Sequence, residues 1–294
     1  MEIKSVTTNI DGLKIRHLEG GEGDMPLVFL HAFFTNAESF RGLIGFLGER
    51  YRVYVPDYPG FGQSDQLETD WDFEQINQVM VKWFRRLDLK EIVLAGASFG
   101  GTNIRFLAPY IDDLVLAYIL IQPYSGYSAL KFSPSLVKKS RRISKLLDRL
   151  IPSKLGDFVW NSDNLMAFVI NTIDPLQETE RGFHERINGL RTARFKTFVH
   201  TLGEILSLNI DVKKYLTQKP TILIMSATDD SLIYDVTQRT FQALFPNITE
   251  IPINLVQHNP IEPLTTDYFK RNFLYLLSTI DNLTLKARTQ MSKP

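Results

Sequence analysis

Short apolar runs alternate with amphipathic stretches through the first 121 residues of the chain. Leu27–Leu30 (LVFL), Tyr51–Val55 (YRVYV), Ile92–Ala95 (IVLA) and Leu116–Ile121 (LAYILI) read as strands. Their near-continuous apolar character is that of parallel strands covered on both faces. Between them, Ser39–Leu47, Phe73–Leu87 and Thr102–Tyr110 read as helices. In the second of these, Phe73, Ile76, Val79, Met80, Trp83, Phe84 and Leu87 recur at helical spacing. Upstream, Lys4–Thr8 and Leu13–Leu18 flank Asp11-Gly12, the signal of a two-residue hairpin. Strands that alternate with helices imply crossover connections and a mainly parallel sheet.

The pattern changes after Ile121. From Tyr124 to Leu206 there are helical stretches and loops but no buried strand. Thr221–Ala227 (TILIMSA) restores the strand pattern, followed by a helix at Val236–Phe245, a strand at Glu250–Val256 and a closing helix at Tyr268–Ile280. The simplest reading is one α/β core, residues 1–123 and 207–294, interrupted by a helical insertion at 124–206. Lys286–Pro294 is expected to be a frayed tail.

Charge and composition narrow the function classes. Of 294 residues, 33 are Lys or Arg and 33 are Asp or Glu. That balance argues against a chain-wide polyanion-binding role, so nucleic acid is not an expected partner. It leaves room for a local patch. Lys131–Lys154 holds eight basic residues and one acid, Asp148, with Leu136, Ile143, Leu146, Leu147 and Leu150 forming an apolar stripe. Such a helix either packs its apolar face inward and solvates its charges, or contacts a membrane surface through 131–154. Inward packing is the simpler expectation. The absence of cysteine excludes disulfides and thiolate metal sites. No apolar run approaches the roughly 18 residues of a bilayer span, and no secretory h-region is visible, so a cytoplasmic protein is expected. The oligomeric state is not legible.

Gly96-Ala97-Ser98-Phe99-Gly100 forms G-x-S-x-G between a predicted strand and a predicted helix. That is the setting in which a sharp strand-to-helix turn exposes a serine hydroxyl. A serine nucleophile needs a base, and the base needs an acid to orient it. Of the five histidines, His258 lies in the loop after the last strand, and Asp229 and Asp230 directly follow Thr221–Ala227. His31-Ala32-Phe33-Phe34 follows strand Leu27–Leu30, where one oxyanion donor is expected. The backbone N–H groups of Phe33 and Phe99 are the candidate pair. His31 is the better candidate for bracing that loop than for a base.

Taken in order, these motifs resemble the α/β-hydrolase fold superfamily, in its lid-bearing, esterase-like branch. His31-Ala32-Phe33, Asp57-Tyr58-Pro59-Gly60-Phe61-Gly62-Gln63-Ser64, Gly96–Gly101, Pro220–Asp229 and the His258 loop carry the resemblance. It implies an α/β-hydrolase fold with helices on both sheet faces and a cap inserted after the sixth strand. It further implies a Ser98–His258–Asp229 triad, with Asp230 the second candidate for the acid, and Asp57–Ser64 as a structural loop. Three residues depart from the family pattern: Ala32, Ser226 and Gln257 each replace a common glycine. Gln122 offers no carboxylate at the alternative acid position, and a serine at 98 argues against the branches with an aspartate nucleophile. The implied function is cofactor-free, metal-free hydrolysis of a small or medium-sized ester with an apolar portion. C–C bond or thioester hydrolysis by the same triad, or a silent binding module, are the alternatives. Phe158, Trp160, Met166, Phe168, Phe195 and Phe198 are candidates both for lining an apolar pocket and for the core.

Overall fold

The computed structural model describes residues 1–33, 35–67, 71–166, 187, 191–210, 212, 216–228, 232–254 and 262–291. Eight strands form one sheet in the order β1-β2-β4-β3-β5-β6-β7-β8. They are β1 (Ile3–Ile10), β2 (Leu13–Gly20), β3 (Pro26–Leu30), β4 (Arg52–Pro56), β5 (Ile92–Ala97), β6 (Val115–Ile121), β7 (Thr221–Ser226) and β8 (Ile248–Ile253). β1 and β2 pair antiparallel, as do β2 and β4; every other pairing is parallel. The β1–β2 hairpin turns on Asp11 and Gly12, both at positive φ (51° and 94°). Two left-handed residues are what a two-residue turn compatible with strand twist requires.

Helices whose bounds fall among the described residues are α1 (Arg41–Leu47), α2 (Phe73–Arg86), α3 (Phe99–Ile111), α4 (Pro134–Leu150), α5 (Ser153–Trp160), α6 (Phe195–Ile205), α7 (Tyr234–Leu244), α8 (Thr266–Phe273) and α9 (Tyr275–Met291). Alternation along each strand divides the core into two layers. Val28, Leu30, Ile92 and Leu94 face α2 and α3, whereas Leu27, Phe29, Val93 and Ala95 face α1, α8 and α9. α2 is started by a capping box, with Asp72 and Gln75 each bonding the other's backbone N–H.

Three expectations are corrected. α3 begins at Phe99, three residues before the predicted Thr102, because the Gly100-Gly101 pair enters the helix directly from the turn. The closing helix is split into α8 and α9, and α9 continues to Met291 instead of fraying at Lys286. Leu276, Ile280, Leu283 and Ala287 form a buried stripe that carries the helix onward, and Arg288 pairs with Glu91 (2.8 Å).

The third correction concerns α4. Its apolar stripe does not face inward: Leu136, Ile143, Leu146, Leu147 and Leu150 are all exposed, and only Val137 and Ser144 are buried. The helix packs on α6 through a narrow seam, where the Ser144 hydroxyl bonds the Val199 carbonyl and Asp148 pairs with Lys196 (3.5 Å) and His200 (2.9 Å). Phe158 on α5 likewise points outward, at 79% exposure. Trp160, Met166, Phe195 and Phe198 are buried, and Phe168 lies outside the described residues. Among the described residues no helix is long and apolar enough to cross a membrane.

Candidate active site

The turn from β5 into α3 places Ser98 in a backbone conformation that side-chain-bearing residues rarely adopt (φ 48°, ψ −113°). Holding a serine there costs on the order of 1–3 kcal/mol. The surroundings hold it firmly. The Ser98 N–H donates to the Ile121 carbonyl at the end of β6 (2.8 Å), and its own carbonyl accepts from the Thr102 N–H (2.9 Å). The Thr102 hydroxyl, in turn, accepts from the Tyr124 N–H (2.8 Å).

Close packing explains the flanking glycines. A Cβ on Gly96 would sit 2.6 Å from the Gly100 carbonyl carbon, and one on Gly100 would collide with the Leu30 carbonyl. The elbow therefore rests against the end of β3, where the loop bearing Phe33 begins. Phe99 is the first residue of α3, so its N–H is one of those with no acceptor inside the helix. The N-terminal end of the helix dipole adds partial positive charge at the same place.

His31 is buried at the start of the Phe33 loop. Its Nε2 accepts from the Tyr58 N–H (3.2 Å), which leaves Nδ1 to donate to the Ala32 carbonyl (2.8 Å). That is a neutral imidazole bonded at both nitrogens. Burial holds its pKa below the ordinary histidine value against the opposing pull of the Asp57 charge. It braces the loop. Ala32 is not among the residues with positive φ, so the absent glycine costs no strain there.

The Asp57–Ser64 loop is a structural support. The buried Asp57 carboxylate accepts from the Ala37 N–H (2.7 Å), the Gln63 N–H (3.0 Å) and Arg16 Nη1 (3.1 Å). Gly62 (φ 53°) is required by this arrangement, since a Cβ would enter the Asp57 carboxylate. Phe61 and Tyr58 from the loop pack on Phe99, with ring centroids 6.3 and 5.2 Å away. The aromatic cluster then continues outward: Phe33 stacks on Phe198 of α6 (5.3 Å), which lies 4.5 Å from Trp160 of α5.

A sequence model described as "alpha/beta hydrolase fold" matches residues 25–263. The chain belongs to that family. An uncharacterized hydrolase of Bacillus subtilis is 32% identical over 121 residues, which is 40% of this chain and 44% of that protein. A haloalkane dehalogenase of Agrobacterium fabrum is 33% identical over 133 residues, 45% of this chain and 43% of that protein. The chain thus spans less than half the length of these curated relatives. An esterase structure from Thermogutta terrifontis superposes with a TM-score of 0.67 at 16% identity, over 98% of this chain and 99% of that one. At that identity the likeness is one of fold.

Of the residues this α/β-hydrolase chain was expected to use, Ser98, Phe99 and Phe33 lie at the junction of β5, α3 and the loop after β3. Asp229, Asp230, Gln257 and His258 lie outside the described residues. The strand leading to Asp229 ends at Ser226, which is buried; its hydroxyl accepts from the Thr228 N–H (3.3 Å) and so shapes the turn that follows. Gln122 at the end of β6 adopts φ 42° and donates its N–H to the Ile224 carbonyl (2.8 Å). Its buried Oε1 has no hydrogen-bond partner among the described residues.

The described histidines other than His31 also have their own settings. His17 is buried between Tyr54 and Trp83, and burial lowers its pKa to about 4 despite the raising influence of Glu19. His200 on α6 approaches Asp148 through Nδ1 and the Trp71 carbonyl through Nε2, with its ring 4.4 Å from the Trp71 ring. This link between α4, α6 and the loop before α2 gave no signal in the sequence, because its members are separated by 52 and 129 positions.

Proposed function

We propose that this protein is a serine hydrolase that cleaves a small or medium-sized carboxylic ester with an apolar portion through an acyl-enzyme. The observation that carries the proposal is the strained Ser98 at the start of α3 (φ 48°), on a strand-to-helix turn so tight that neither Gly96 nor Gly100 has room for a Cβ. Ser98 Oγ attacks the ester carbonyl while His258 takes its proton. The oxyanion that forms is held by the backbone N–H groups of Phe33 and Phe99, and His258 returns the proton to the departing alcohol. Water, deprotonated by His258, then releases the acid. Asp229 orients the imidazole and stabilises its charged form.

Several observations support these roles. His17 is buried between Tyr54 and Trp83, His31 braces the Phe33 loop and His200 bridges Asp148 and the Trp71 carbonyl, while His184 lies outside the described residues. Ala32 does not adopt a positive φ, so its position in the loop bearing Phe33 does not call for the backbone freedom of glycine. Residues 124–206 act as the cap, and the stack of Phe33 on Phe198 supplies an apolar surface beside the oxyanion loop.

Reaction with a fluorophosphonate probe followed by peptide mapping tests the assignment. A single label on Ser98, lost in Ser98→Ala and in His258→Gln, is the expected result. A folded wild-type protein that takes no label would favour a binding module on the same fold.

A further inference from the structure

We propose that the outer face of α4 and α5 docks onto an anionic lipid bilayer. Nine of the fourteen large apolar side chains exposed among the described residues fall between Phe132 and Val159. On α4, at 3.6 residues per turn, Leu136, Ile143, Leu146, Leu147 and Leu150 share an arc about 100° wide. Lys138, Lys145, Arg142 and Arg149 occupy the adjoining arc, Lys139 lies among the leucines, and Val137, Ser144 and Asp148, bordered by Arg141, form the seam against α6. The helix is therefore seated by an edge with one apolar side chain, Val137, and not by its leucines. Its apolar and basic sides both remain in solvent.

α5 repeats the arrangement. Gly156 and Trp160 pack against Phe195 of α6, while Leu155, Phe158 and Val159 are exposed. α6 in turn meets the core through Phe198 on Phe33 and His200 on Trp71, so α4 and α5 form the layer outside it. A helix with leucines on one side and lysines and arginines on the other is the form that lies in the plane of a membrane interface.

Charge selects the occupant. Lys131–Lys154 carries eight bases and one acid, and that acid, Asp148, points into the seam. Lys138, Lys139, Arg142 and Arg149 form no ion pair among the described residues, unlike Arg50, Arg85 and Arg288 elsewhere on the surface. A second copy of this chain is a poor occupant, since a two-fold contact would set one basic face against the other. An anionic leaflet offers both an apolar layer for the leucines and Phe158 and negative headgroups for the bases.

The test is cosedimentation of the full chain with vesicles of equal parts phosphatidylcholine and phosphatidylglycerol, and with phosphatidylcholine alone, at physiological salt. The wild type should pellet with the anionic vesicles and remain in solution with the neutral ones. Each basic residue near an anionic leaflet is worth roughly fivefold in partitioning, so Lys138→Gln, Lys139→Gln, Arg142→Gln and Arg149→Gln together should weaken binding on the order of a hundredfold or more. Leu146→Ser, Leu150→Ser and Phe158→Ser together should also abolish pelleting, because burial of each apolar group contributes about tenfold. All seven side chains are exposed, and circular dichroism of both variants should match the wild type. Wild-type protein left in the supernatant with anionic vesicles would overturn the proposal, as would equal pelleting with neutral vesicles or by both variants. So would a lipid-free wild-type dimer that the leucine variant converts to monomer, since the face would then belong to a second copy.

Discussion

α2 and α4 are the two strongly amphipathic helices of similar length, and they use their apolar faces in opposite ways. α2 buries Phe73, Ile76, Met80, Trp83 and Phe84 against the sheet and α3. α4 buries only Val137 and Ser144 and leaves five leucine and isoleucine side chains in solvent. Neighbours account for the difference. α2 connects two parallel strands, β4 and β5, and a crossover helix must lie on the sheet that its strands build. Among the described residues α4 has no strand beside it, and its seat on α6 is decided by a hydroxyl–carbonyl bond and the Asp148 pairings.

The largest expected effect lies on the α2 side. Trp83→Ala removes a side chain with no solvent exposure and should cost about 3–5 kcal/mol in denaturant unfolding. Leu146→Ala on α4 should stay within about 0.5 kcal/mol of wild type, as exposed substitutions do. Equal losses at the two positions would mean that α4 is buried in solution and would break the comparison.

Acid should also strike the α2 side. His17 lies 5.4 Å from the Trp83 ring, with a folded pKa of about 4 against an ordinary 6.5. Between those values the unfolded chain binds the extra proton, so stability falls as pH falls. The loss over that window should be on the order of 3 kcal/mol. His17→Phe should flatten this part of the stability–pH curve relative to wild type; an unchanged slope would contradict the burial of a neutral imidazole.

The α4 seam is sharpened by a smaller change. Ser144 is buried, bonds the Val199 carbonyl and faces Gly203, where an added Cβ would lie 3.2 Å from its hydroxyl. Ser144→Leu should therefore cost about 1–3 kcal/mol by overpacking, although it makes the buried side of the helix more apolar. A stabilised variant would show that the seam has room and that α4 could rotate.

The same contrast separates what was legible in the sequence from what was not. Gly96, Gly100 and Ser98 announced the elbow because the demand for small residues around a tight turn is local. Strands such as Ile92–Ala97 and Thr221–Ser226 were visible because both faces are covered, which leaves an unbroken apolar run. The helical character of α4 was equally plain. Its orientation was not, since periodicity states that an apolar face exists and not what lies against it. The extension of α9 to Met291 was obscured in a similar way: its last turns combine buried Leu283 and Ala287 with exposed polar residues, a weaker stripe than that of α2.

At the elbow, strain and chemistry should separate in one substitution. Ser98→Gly removes the hydroxyl and relieves the positive φ, which glycine adopts freely. Ester turnover and the denaturant midpoint should be measured side by side on this variant and the wild type. Hydrolysis of a p-nitrophenyl ester should be lost while stability rises by about 1 kcal/mol. Turnover near the wild-type rate, or a clear fall in stability, would contradict the reading of Ser98 as a nucleophile held under backbone strain.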